Sequence, residues 1–225
     1  MRTPLLAVKA SLDPKGQVLA DWNPAVAPYC KWINVVCDEA GNVVRLTISY
    51  LALDGTLPPA TAITNLPGLK GLLLGGNALK GTLPAGYGAS ASLQELYLND
   101  NQLSGSLPAD WSKAKSLREI SLAFNNLEGK LPAEWGALQN LKVLKINSNK
   151  LTGPVPKEWA APSKPYMSSL ETLTVFGNAG LTGCLPASFG GKGPSNKGFF
   201  QGPAGQKTTD AKAAAAGTKI TGLCR

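Results

Sequence analysis

The apolar positions of this chain recur with a period of 24 residues. Asn77, Asn101, Asn125 and Asn149 mark the interval, and each closes a run in which aliphatic residues alternate with variable ones. The first clean copy reads Leu69, Leu72, Leu74, Asn77, Leu79, Gly81 and Leu83-Pro84. The next three run Leu93 to Leu107-Pro108, Leu117 to Leu131-Pro132, and Leu141 to Val155-Pro156. Two degenerate copies flank them. One is Leu46, Ile48, Leu53, Gly55 and Leu57-Pro58, with Leu51 in the Asn slot. The other is Leu170, Leu173, Val175, Asn178, Leu181, Gly183 and Leu185-Pro186, preceded by an insertion, Ala161 to Tyr166. A fixed period in the 20–50 range is the signature of a stacked array, and irregular end copies are what such an array needs where its ends meet water.

Each copy predicts one coil. The x-Leu-x-Leu-x segment places its leucines on one side of a strand and its variable residues on the other. Successive strands then pair as a parallel sheet about 4.8 Å apart. A lone coil cannot bury its apolar face, so the stack is the folding unit. The Asn amide is expected to turn inward and bond backbone groups of the bend. Gly81, Gly105, Gly129, Gly153 and Gly183 fall at a second bend, and each following Leu-Pro opens an irregular convex side. A second column is aromatic: Tyr87, Trp111, Trp135, Trp159 and Phe189 lie three residues after the prolines. We read it as core packing; the competing reading is a row of exposed rings for stacking on sugars.

The ends differ from the middle. Thr3 and Pro4 suit the start of a helix, Leu5, Val8 and Leu12 share one of its faces, and Asp13-Pro14 stops it. Trp22 and Trp32 supply apolar mass to cover the first coil. The four cysteines, Cys30, Cys37, Cys184 and Cys224, sit at the two ends of the array. Three connectivities are possible, and pairing within each end is the sensible one. With no His, a zinc site would need all four thiolates, and a rigid solenoid separates them. Disulfides imply an oxidising compartment. The expected organisation is residues 1–42 as N-terminal cap, 43–186 as six repeats and 187–225 as a Gly/Lys/Ala-rich C-terminal cap or tail.

Composition changes this picture little. Charged residues make up 16% and apolar ones 44% of the 225 residues, which excludes a charge-driven disordered chain. The net charge of +8 is partly local, because six basic residues face only Asp210 beyond Ala187. No basic cluster is interleaved with stacking aromatics, so nucleic acid is not an expected partner. No apolar run reaches the roughly 18 residues of a membrane span. Leu5 to Val8 is too short for a signal-peptide core, so a leader is not expected within this chain.

The segment Leu5-Leu6-Ala7-Val8-Lys9-Ala10-Ser11-Leu12-Asp13-Pro14, with Leu19-x-x-Trp22 and Cys30-x-Trp32-x-x-Val35-x-Cys37, resembles the N-terminal cap of plant leucine-rich-repeat proteins. The 24-residue copies with Leu-x-Gly-x-Leu-Pro resemble the plant-specific repeat class, which includes receptor-kinase ectodomains and polygalacturonase-inhibiting proteins. The segments around Cys184 and Cys224 resemble secreted green-algal members, and Leu-Pro-x-x-Trp is similar to protist surface antigens. The resemblance implies an α/β repeat solenoid, a right-handed coil with a concave parallel β-sheet, an N-terminal helical disulfide cap and a C-terminal disulfide-tied cap. It also implies an extracellular binding module rather than an enzyme, with no cofactor and no metal.

The variable residues beside the inward leucines form columns on the concave face. One holds Arg45, Gly71, Glu95, Glu119, Val143 and Thr172; the next holds Thr47, Leu73, Tyr97, Ser121, Lys145 and Thr174. Beyond them stand Ser49, Gly75, Asn99, Ala123, Asn147 and Phe176, then Tyr50, Gly76, Asp100, Phe124, Ser148 and Gly177. Aromatics beside charges are what protein interfaces favour. The candidate binding residues are therefore Tyr50, Glu95, Tyr97, Asp100, Arg118, Glu119, Phe124, Lys145 and Phe176. The expected partner is a protein or peptide. The alternatives are a secreted polysaccharide-degrading enzyme that the chain inhibits, or a cell-wall polysaccharide or ice surface. Glu95 and Glu119 should be neighbours, as a retaining glycosidase pair would be, but a shallow sheet offers no cleft for catalysis. Threonines are too few in these columns for a flat ice-binding array.

Overall fold

The computed structural model describes residues 2–160, 167–185, 200–201, 207–208 and 218–223, with side chains throughout except at 200–201, 207–208 and 221–223. The coils stack as the period requires. The concave sheet has nine strands. Its parallel body is Val43–Thr47, Gly71–Leu73, Glu95–Tyr97, Glu119–Ser121, Val143–Lys145 and Thr172–Thr174. Leu46, Leu72, Leu96, Ile120, Leu144 and Leu173 stand in register across it, all fully buried.

Both edges of this sheet are closed by an antiparallel strand. Val35–Cys37 from the cap pairs with Val43–Thr47 at one end. At the other, Phe200–Gln201 continues the parallel run from Thr172–Thr174, and Lys207–Thr208 folds back on it. Open sheet edges template further pairing, so an antiparallel closure at each end limits growth of the stack.

A second parallel sheet runs along the flank, which the sequence reading treated only as a bend. It comprises Ser104–Ser106, Asn126–Lys130, Lys150–Pro154, Gly180–Leu185 and Lys219–Leu223. Gly105, Gly129, Gly153 and Gly183 lie within it and Gly81 just before it, all with φ between 77° and 86°. That left-handed backbone turns the chain sharply while its neighbours still pair, and side chains adopt it only at a cost. Beyond each Leu-Pro the convex side forms 3-10 turns, Ala85–Ala89, Ala109–Lys113, Ala133–Ala137 and Lys157–Ala160.

Two internal ladders hold the coils together. Each Asn oxygen accepts an N–H from the preceding coil, as Asn125 does from Leu103 at 3.0 Å, while its Nδ2 donates to Leu98 and Leu122 carbonyls at 3.0 and 3.1 Å. Asn77, Asn101, Asn149 and Asn178 repeat the arrangement. The aromatic column is buried, which removes the sugar-stacking reading for its described members. Tyr87, Trp111, Trp135 and Trp159 stack with centroids 5.9–6.3 Å apart. Each ring also donates to the proline carbonyl of the coil before it, from Tyr87 to Pro58 at 2.8 Å and from Trp135 to Pro108 at 2.9 Å. Phe189 lies outside the described residues.

The cap follows its pattern with one correction. The helix spans Arg2–Leu12 and buries Leu5, Val8 and Leu12, but it begins before Thr3, which sits inside the first turn rather than capping it. Asp13 ends it by accepting N–H groups of Val18 and Leu19 at 2.8 and 2.7 Å. Trp22 and Trp32 stack at 5.6 Å, and Cys30 is bonded to Cys37. The expected Cys184–Cys224 bond involves Cys224, which lies outside the described residues, as does the insertion at 161–166.

Candidate functional site

The concave sheet cradles one groove of about 1010 Å³. The expected columns are seated side by side on it, since Arg45, Gly71, Glu95, Glu119, Val143 and Thr172 are register partners in turn. Of the nine candidates, Tyr50, Tyr97, Asp100, Glu119, Phe124, Lys145 and Phe176 line the groove. Glu95 stands at its margin, tied to Arg45. Arg118 does not join them. It precedes the strand on the lateral edge, exposed, with its backbone bonded to Gln94 and Lys142.

The acidic side chains are engaged by neighbours. Arg45 reaches across the Gly71 strand to place Nη2 2.7 Å from Glu95 Oε1. Glycine at 71 leaves this path clear: a Cβ there would stand 3.2 and 3.3 Å from Arg45 Cγ and Cζ, and the side chain would have to shift. Glu119 accepts a hydrogen bond from the Tyr97 hydroxyl. Burial, and then that bond, push the Tyr97 hydroxyl well above its usual range. Asp100 accepts from Asn99 Nδ2 at 2.6 Å. Glu95 and Glu119 face each other across adjacent strands as expected. Each is held by a different partner, one by a cation and one by a phenol.

The cation differs. Among the described residues the Lys145 ammonium has no hydrogen-bond or ion-pair partner, although the residue is partly buried on the groove wall. The coils on either side of it carry Phe124 and Phe176. Phe124 is 52% exposed and Tyr50 76%. Both have left-handed backbones, with φ of 55° and 58°. Every coil makes this turn, at Tyr50, Gly76, Asp100, Phe124, Ser148 and Gly177. Glycine and aspartate suit it; bulky aromatics do not.

Several lining residues escaped the sequence reading as candidates. Asn34 reaches the groove from the cap, at a position that looked purely structural. Asn147 and Thr174 form a buried pair in the floor, with Thr174 Oγ1 donating to Asn147 Oδ1 at 2.8 Å. The pair is diagonal, since register sets Thr174 opposite Lys145 and Asn147 lies two residues past that strand, so column position alone does not flag it. The buried Thr174 also removes a member from any exposed threonine array.

Comparison with known proteins agrees with this geometry. Residues 2–38 match the leucine rich repeat N-terminal domain, and residues 92–114 and 116–138 each match a Leucine Rich Repeat. The chain carries a leucine-rich-repeat N-terminal cap and leucine-rich repeats. A probable LRR receptor-like serine/threonine-protein kinase of Arabidopsis thaliana is 37% identical to it over 81 residues, which is 36% of this chain and 13% of that kinase. The LRR ectodomain of the Arabidopsis thaliana receptor kinase GASSHO1/SCHENGEN3, solved in complex with CASPARIAN STRIP INTEGRITY FACTOR 2, superposes with a TM-score of 0.74. It is 32% identical, over 83% of this chain and 22% of that one. The plant peptide hormone receptor RGFR1, solved with RGF2, gives a TM-score of 0.64 at 33% identity, over 75% of this leucine-rich-repeat chain and 24% of the receptor. This protein therefore spans about an eighth of that kinase and less than a quarter of either solved chain. Among the described residues no helix is long and apolar enough to cross a membrane.

Proposed function

We propose that this leucine-rich-repeat protein is an extracellular binding module that holds a peptide in its concave groove. The observation that carries the reading is the groove itself, where Tyr97 projects from a strand and Tyr50, Phe124 and Phe176 from the turns just beyond the strands, beside charged groups and none of them part of the apolar core. Aromatics at the centre of a preformed surface are the residues that dominate binding energies. The likeness to the peptide hormone receptor RGFR1 and to the GASSHO1/SCHENGEN3 ectodomain, both solved with partners, supports the assignment. The Cys30–Cys37 bond supports an oxidising, extracellular setting. The strand Lys219–Leu223, returned to Gly180–Leu185, supports a tail tied back as a C-terminal cap.

The test is calorimetric. An arrayed library of synthetic ten-residue peptides supplies binders, and the best is titrated into the wild-type chain and into Y97A/F124A. Loss of a central aromatic costs about 2 kcal/mol or more, so binding should weaken at least tenfold. Equal affinity for both proteins would remove the concave face as the site. Inhibition of pectin-degrading enzymes by the wild-type chain, without any peptide binding, would favour the enzyme-inhibitor alternative.

A further inference from the structure

Resting on that reading, we infer the chemistry of the bound peptide: an acidic side chain beside a large apolar one, with the carboxylate seated on Lys145 and the apolar side chain between Phe124 and Phe176.

The charge pattern of the groove is the first argument. Its acids each have a hydrogen-bond partner within the protein, Glu95 the cation of Arg45, Glu119 the Tyr97 hydroxyl and Asp100 the Asn99 amide. They all belong to the coils N-terminal to Lys145. On the C-terminal half the lining is Val143, Lys145, Asn147, Thr172, Thr174 and Phe176. Lys145 is the only charged side chain in that set. Lys145 is partly buried on the groove wall and its ammonium has no ion-pair partner, so it is free to take a ligand carboxylate, which gains more in a groove than at an open surface.

The second argument is the placement and backbone of the aromatics. Lys145 pairs with Ser121 on one side and Thr174 on the other. Phe124 follows Ser121 by three residues and Phe176 follows Thr174 by two. The two rings therefore stand on the coils flanking Lys145, displaced along the strand direction by about 7–10 Å at 3.3–3.4 Å per residue. That is the reach from one peptide side chain to the next or next but one. Phe124 holds a left-handed conformation that a β-carbon disfavours, and half its surface is in water. The fold gains little from a phenyl ring there, whereas a ligand would gain a rigid apolar wall. Strain retained at an exposed position points to use by a partner.

The experiment uses the same library on the full chain, made with acetylated and amidated ends so that only side chains carry charge. Peptides held by the wild type should be enriched in Asp or Glu adjacent to, or one residue away from, Leu, Ile or Phe. With K145E the enrichment should reverse to Lys and Arg, and the best acidic peptide should bind at least tenfold more weakly. K145R should retain it. F124N should lose the apolar preference while keeping the acidic one. Unchanged thermal melting of these variants establishes that each is folded. Peptides held by the wild type without acidic enrichment, or with an enrichment that K145E leaves intact, would overturn the inference and leave the groove as a peptide site. If only free-acid versions of the peptides bind, the carboxylate on Lys145 belongs to the chain terminus, which overturns the side-chain assignment. Failure of every peptide to bind would defeat the functional reading itself.

Discussion

At the scale of single residues, the asparagines do work that no other side chain of their size can. One amide accepts an N–H from the coil before it and donates to carbonyls of both coils. In N125A the Leu103 N–H and the Leu98, Leu122 and Ala123 carbonyls lose that partner in a buried setting. Orphaned groups cost 1–3 kcal/mol apiece when water cannot reach them, so a loss of roughly 2–4 kcal/mol is expected in urea unfolding. Tyr87 carries a pH signature. Burial pushes its hydroxyl far above the ordinary value of 10.0, so the folded state keeps a proton that the unfolded state releases. Its contribution is full below pH 10 and declines as pH rises further. Y87W, which copies the other coils, should reduce the alkaline fall in melting temperature. Phe124 offers the reverse case. F124N places a residue tolerant of left-handed backbone at an exposed site, so its melting temperature should equal or exceed that of the wild type. A clear drop would show that the ring packs against the fold after all.

At the scale of elements, the aromatic ladder joins coils that are otherwise linked by backbone bonds and leucines. Trp135 lies between Trp111 and Trp159 and donates to Pro108. W135F keeps a ring but takes one of two donors from the Pro108 carbonyl, which retains the Trp111 N–H, and opens a void, at a cost of about 1–3 kcal/mol. W135A removes the stacking surface from both neighbours and should cost about 3–5 kcal/mol by denaturant titration. The elements themselves were largely legible in the chain. The leucine alternation placed all six parallel strands, because strand periodicity and the repeat register reinforce each other. The flank sheet was not legible. Its segments are short and glycine-centred, and a glycine before Leu-Pro reads equally well as a bend. Arg45 illustrates a further limit. Its column position was readable, but its reach over Gly71 to Glu95 depends on which neighbour lacks a side chain. Tyr97 and Glu119 likewise become partners only when adjacent strands bring a phenol and a carboxylate side by side. Arg118 was assigned to the groove by proximity in sequence, although it lies one residue before the strand and at the sheet's lateral edge.

At the scale of the whole molecule, stability is distributed along one dimension. Each coil touches its two neighbours, so resistance to opening should be greatest in the central coils and least at the ends. The N-terminal cap depends on a short covalent loop, since Cys30 and Cys37 are seven residues apart. On the chain-entropy model such a loop contributes about 2–3 kcal/mol. Reducing the protein should therefore speed amide hydrogen exchange first in the cap and the Val43–Thr47 strand, with the Ile120 and Leu144 strands least affected. Uniform acceleration across all coils would show that the array opens as a single cooperative unit. The groove was partly visible in the sequence for the same reason as the fold, because columns of variable residues follow from the period. Its cap-derived wall at Asn34 was not, since a non-repeating segment carries no register.

The stacked indoles of Trp111, Trp135 and Trp159, nearly parallel and about 6 Å apart, also give the molecule an optical property. Chromophores this close share their electronic excitations, and light absorbed by one is not confined to it. Any sliding of one coil against the next would alter the coupling at once. The near-ultraviolet circular dichroism of the intact chain is thus a direct gauge of coil alignment, sensitive to shear that leaves the secondary structure unchanged.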